Sequence, residues 1–250
     1  MKLNISNMNI RKQLLIMTAA LMVLASCRHI WGKAVRGNGN IQTEERNVSS
    51  FKNVEVSGAI NVYVSQGDFK PVKIEGDENL LKYIEISQEG DRLIVRDKPG
   101  YDLKPTGDMR IYVTAPLYHE IEVSGACDII GQSKISNPEN IQLKASGAGD
   151  IKMELDAPKI SAEITGSGSI DLKGQARDVV LELSGAGHAH CYDLLSENTK
   201  VEISGAGSAE VYASMKLDAE VSGAGSVNYR GNATTVNQHV SGVGSVHKEN

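Results

Sequence analysis

Leu183-Ser184-Gly185-Ala186-Gly187-His188-Ala189 decides the fold, because close variants of it recur along most of the chain. Its Ser/Thr-Gly step stands at Ser57, Ser124, Ser146, Thr165, Ser184, Ser204, Ser222 and Ser241. From Ser124 onward the intervals are 22, 19, 19, 20, 18 and 19 residues. A unit that recurs about every 20 residues is a repeat architecture, in which each unit buries its apolar face only by stacking on its neighbours.

Each unit has the same internal order. One residue before the Ser/Thr come Val123, Ala145, Ile164, Leu183, Ile203, Val221 and Val240, and alternation with polar neighbours marks a strand with one buried face. After the glycine-rich step the pattern resumes five residues on, at Ile129, Ile151, Ile170, Ala189, Ala209, Val227 and Val246. Two strands therefore meet at a corner where glycine supplies the required backbone freedom. A second, more variable corner is expected at Ser136-Asn137-Pro138-Glu139, Gln175-Ala176-Arg177-Asp178 and Leu195 to Thr199. Stacking such units about 4.8 Å apart gives an all-β, right-handed parallel β-helix, a solenoid of about 20 residues per coil. A thin interior of small aliphatic residues fits a composition with 40% hydrophobic but only 4% aromatic residues.

The chain before the repeats divides differently. Lys2, Arg11 and Lys12 precede an apolar run from Leu14 to Ala25, shorter than a membrane span, and Leu24-Ala25-Ser26-Cys27 resembles a bacterial lipobox. Residues 1–26 are thus expected to be a lipoprotein signal peptide, with Cys27 as the lipidated residue and the membrane as a partner through that anchor. Arg28 after the Cys favours the outer membrane by resemblance to lipoprotein sorting rules, and residues 27–47 read as a polar tether. Residues 48–120 form a β-rich capping part and 121–250 the repeats. Within the cap, strands are expected at Val72–Glu75, Ile84–Ser87, Leu93–Arg96 and Arg110–Thr114, with a hairpin at Glu89-Gly90-Asp91 and a helical turn near Asp77 to Tyr83.

Three blocks carry a resemblance: Phe51-Lys52-Asn53-Val54-Glu55-Val56-Ser57-Gly58, then Gly76-Asp77-Glu78-Asn79-Leu80-Leu81, then Ala115-Pro116-Leu117 ahead of Ile121-Glu122-Val123-Ser124-Gly125. With the Ser-Gly-Ala-Gly repeats they resemble the putative auto-transporter adhesin, head GIN domain family, from about Phe51 to the C-terminus. The resemblance implies a parallel β-helix of the Bacteroidetes cell envelope, without catalytic residues and with a role in adhesion.

Asp128 and Asp150 share the fourth position after the Ser in neighbouring coils, close enough for paired-carboxylate or Ca²⁺ chemistry. Two residues before each Ser/Thr runs a stripe of Glu122, Lys144, Glu163, Glu182, Glu202, Glu220 and His239. Its stacked acids form either a solvated face or a strip for a basic partner or divalent ions. A net charge of −5 without a basic, aromatic cluster excludes nucleic acid as the expected partner. No phosphate-loop or metal-ligand spacing is present, so no cofactor and no metal are expected. Cys127 and Cys191 fall three coils apart, about 14 Å against the roughly 7 Å limit for a disulfide, so two free thiols are expected.

Two readings follow. One is a non-enzymatic, lipid-anchored envelope scaffold that contacts a protein or glycan, with self-association through a rod end near Val240 to Val246. The other is a carbohydrate-active enzyme or calcium-dependent glycan binder using Asp128 and Asp150.

Overall fold

Alternation sets each strand. In Asn140–Gly147, Ile141, Leu143 and Ala145 are buried while Gln142 and Lys144 point outward. The computed structural model describes residues 32–249, and there such strands stack in parallel. All eight Ser/Thr-Gly steps lie in one register: Ser57 beside Ser124, then Ser146, Thr165, Ser184, Ser204, Ser222 and Ser241. On the second face Ile129, Ile151, Ile170, Ala189, Ala209, Val227 and Val246 form the matching ladder. The chain is therefore an all-β parallel solenoid with one continuous aliphatic core.

The glycine corner is itself a ladder. Gly185 has φ +116°, and the amide of the next residue, Ala186, donates to Gly166 O of the preceding coil at 2.8 Å. The second corners differ from expectation in two places. Ile151–Gly166, Ser169–Gly185 and Leu194–Gly205 run as continuous strands, so the chain bends at Gln175–Asp178 and Leu195–Thr199 without leaving the ladder. Ladder pairing resumes on both sides of each bend, and Gly174, φ +118°, supplies the backbone freedom at the Gln175–Asp178 bend. At the other corner Asn137 is buried and ties the turn, its Nδ2 donating to Tyr118 O at 2.8 Å and its Oδ1 accepting from Glu139 N at 2.7 Å.

The first repeat interval is the longest because the strand Asp128–Ser136 carries a bulge of two extra residues and the corner after it holds one more. Ile130 pairs with Lys152 but Lys134 with Glu154, leaving Gly131, Gln132 and Ser133 opposite Met153 alone.

The N-terminal part closes one end of the rod. Arg92–Asp97 and Arg110–Ala115 form a level beneath Asn53–Gly58 and Asn61–Gln66. Antiparallel strands Ile84–Glu89 and Val72–Asp77 then cover its edges, joined by a one-turn helix, Glu78–Leu81. The hairpin turns at Gly90, φ +62°.

The tether expected over residues 27–47 requires correction. Lys33–Arg36 pairs with Tyr101–Lys104, and Ile41–Arg46 is an edge strand antiparallel to Val72–Asp77. Its side chains are nearly all exposed, so it carries no hydrophobic period; backbone bonds and one buried carboxylate hold it instead. Asp77, 0% exposed, accepts from Gly39 N at 2.7 Å, Thr106 N at 2.8 Å and Thr106 Oγ1 at 2.8 Å. The signal peptide and Cys27 lie outside the described residues.

Cys127 and Cys191 are both free and buried, and burial pushes their thiols up to about 11 and about 12. At the far end of the rod, Thr235–Gly242 is exposed along its length, with Val240 40% and Val243 86% exposed.

Candidate functional site

Asp128 and Asp150 do come together, and both carboxylates are engaged by the next coil. Asp150 N donates to Asp128 Oδ1 at 3.2 Å, while Ser169 N and Oγ donate to Asp150 Oδ1 at 2.9 and 2.6 Å. Each thus accepts a backbone N–H at a corner, as a capping carboxylate does. No group of three or more His, Cys, Asp or Glu side chains among the described residues is arranged to hold a metal ion.

The acidic stripe is continuous. Glu55, Glu122, Lys144, Glu163, Glu182, Glu202, Glu220 and His239 are successive strand neighbours on one outer face. Its two halves are treated differently. Near the cap, Arg92 bridges Glu55 at 3.3 Å, Glu122 at 3.3 Å and Glu120 at 2.8 Å, and Lys144 holds Glu120 at 2.6 Å. Burial alone would raise the Glu120 pKa, but Lys144 and Arg92 outweigh it and hold the carboxyl low. Farther along, Lys200 pairs with Glu202, while Glu163, Glu182 and Glu220 have no ion pair among the described residues. These acids, with Ser184, Ser204 and Ser222 from the hydroxyl ladder beside them, line an open groove of about 240 Å³.

A second groove escaped the repeat pattern. Tyr63 and Tyr112 are strand neighbours with rings stacked at 5.1 Å, and Lys73 Nζ lies 4.8 Å over the other face of Tyr112. Beside them, Ser65, Thr114 and Gln132 face a groove of about 440 Å³ walled by the loop Gly67–Pro71. A local signal existed: Asn61-Val62-Tyr63-Val64-Ser65 and Arg110-Ile111-Tyr112-Val113-Thr114 share one pattern 49 residues apart. The bulge that brings Gln132 in is likewise announced by the 22-residue interval. Arg92, the cation that neutralises one end of the acidic stripe, reaches it from a non-repeating strand and left no signal in the spacing.

Together these features define a parallel β-solenoid, capped at one end, that presents stacked polar ladders to solvent. Residues 50–233 match the family described as "Putative auto-transporter adhesin, head GIN domain", and the chain belongs to that family. Among solved structures, a putative adhesin from Bacteroides fragilis is 22% identical with a TM-score of 0.82, covering 86% of this chain and 100% of its own. A putative adhesin from Parabacteroides distasonis is 26% identical with a TM-score of 0.69, over 87% of this chain and 100% of its own. A protein from the same species described as a putative lipid binding protein is 24% identical with a TM-score of 0.71, over 87% and 100%. No curated protein matches the chain.

Proposed function

We propose that the chain is an exported, lipid-anchored protein of the cell envelope, held by Cys27 in the outer membrane, that works by non-covalent contact as an adhesin or interaction scaffold rather than by catalysis. The observation that carries this reading is the contrast between the two sets of acids. Asp128 and Asp150 are engaged in joining coils, whereas Glu163, Glu182 and Glu220 stack along the rod with no direct ion pair among the described residues, Lys144 and Lys200 acting on them only at longer range. Like charges about 4.8 Å apart repel, so a partner with basic groups gains by meeting them. Family membership and the adhesin-described relatives support the same role. Crosslinking in intact cells, with the captured partner identified and protease accessibility followed on the same sample, tests it. Capture of a defined surface partner supports the reading; cleavage of a polysaccharide that depends on Asp128 and Asp150 would replace it.

Self-association through the last coil belongs to the same proposal. Thr235–Gly242 carries no Asp, Glu, Lys or Arg, unlike Lys216–Gly223 beneath it, so an antiparallel pair with a second copy meets no charge repulsion. The opposite end is closed by an edge strand bearing Glu44, Glu45 and Arg46, which limits stacking to a closed dimer. Sedimentation should show a concentration-dependent dimer that Val240→Lys abolishes; a monomer at every concentration contradicts it.

A further inference from the structure

Two departures from the repeat, the insertion after Gln66 and the bulge at Gly131 to Ser133, meet at a single place, the groove beside Tyr112. Loops and bulges set on a regular scaffold are where recognition groups concentrate. The groove is preformed. Gly67 N donates to Ala115 O at 3.1 Å, Phe69 packs edge-on against buried Phe51 at 5.8 Å, and Gln66 is locked by bonds to Pro116 O at 2.9 Å and Ser136 O at 2.8 Å.

The polar groups facing it are free to act. Ser65 Oγ donates to Gln132 Oε1 at 3.3 Å, which leaves the Gln132 amide N–H groups unused. Among the described residues, Thr114 Oγ1, the Asp68 carboxylate and the Lys70 ammonium have no side-chain partner either. Elsewhere on the same outer face, charges are paired off: Lys134 with Asp156, Lys152 with Asp171 and Lys173 with Glu154.

We propose that this groove binds a neutral oligosaccharide, an inference that rests on the reading of the chain as an envelope contact protein and names one of its ligands. Each sugar hydroxyl both donates and accepts, matching a floor that offers a hydroxyl, an amide, a carboxylate and an ammonium within one groove. The charged walls balance, Glu45 and Asp68 against Lys70 and Lys73, so neither an anion nor a cation is favoured. An apolar ligand would strand the polar floor without partners. Both faces of the Tyr112 ring are covered, by Tyr63 and Lys73, so the ring braces the wall and presents its edge. Binding therefore depends on a few hydrogen bonds, is weak for one copy, and gains strength from many anchored copies on one surface.

Native affinity electrophoresis of the full chain in a polyoxyethylene detergent tests this, with gels containing mannan, xylan, neutral β-glucan or polygalacturonate. At least one neutral polymer should retard the protein while polygalacturonate does not. Gln132→Ala and Thr114→Val should each weaken retardation about tenfold, and the remote exposed variant Glu197→Ala should leave it unchanged. Unaltered mobility in every neutral gel overturns the proposal, as does retardation by polygalacturonate alone or retardation that survives both groove variants. If these results fail while a partner is still captured in intact cells, the groove assignment falls and the contact function stands.

Discussion

Gly185→Ala should collapse the rod's stability, lowering it by about 3 kcal/mol or more, among the largest single-residue effects expected. With φ +116°, Gly185 occupies backbone space that a side chain reaches only at about 1–3 kcal/mol. A Cβ there would stand 2.6 Å from Gly166 O, the same oxygen that accepts the 2.8 Å bond from Ala186 N. The corner must shift, and the neighbouring coils share its register, so the strain passes along the ladder. In a domain stable by about 5–15 kcal/mol this is a large fraction, seen as a fall of roughly 10 °C in the thermal midpoint. Ala186→Ser is the matched control, because Ser167 already occupies that exposed position in another coil and should change stability little.

Asp77→Ala should cost about 3 kcal/mol, by a different mechanism. It leaves the amides of Gly39 and Thr106 without their buried acceptor, each a penalty of about 1–3 kcal/mol. Residues 37–40 should then become protease-sensitive while the repeats stay protected. The carboxylate also makes this clamp pH-dependent. Burial pushes its pKa up, but the bonds from Thr106 and Gly39 outweigh burial and hold it below the ordinary value of about 3.9. A lowered folded pKa means the contribution is complete at neutral pH and is lost as pH falls through that value, in the range below about pH 4. Urea unfolding from pH 7 to 3 should show wild type losing stability more steeply than Asp77→Asn. Parallel curves would contradict the assignment.

How much of this was legible follows from what each element depends on. The stacked coils were readable because inward residues such as Ile164 and Leu183, and the Ser/Thr-Gly corners, recur at one spacing and must coincide once coils stack. The acidic stripe was readable for the same reason. Ile41–Arg46 was not, because an exposed edge strand is held by backbone bonds and needs no apolar alternation. The clamping role of Asp77 has no local signature, since its partners Gly39 and Thr106 lie far along the chain in both directions. The Asp128 and Asp150 pair shows the converse: their proximity was legible, but their engagement by backbone and Ser169 donors needed coordinates. The groove lies in the irregularities, the long first interval and the duplicated Tyr-Val pattern, which the repeat itself does not encode.

Partner capture in intact cells by wild type and by Glu163→Gln/Glu182→Gln/Glu220→Gln, with unfolding midpoints measured in parallel, tests most directly whether the outer ladder is a contact surface. Removing stacked like charges relieves about 0.2–1 kcal/mol per opposed pair, offset by the lost attraction of Glu163 to Lys144 and of Glu182 and Glu220 to Lys200, so the triple variant should stay within about 1 kcal/mol of wild type. Capture should nevertheless fall several-fold and lose its sensitivity to salt. Undiminished, equally salt-sensitive capture by a well-folded triple variant would contradict the account.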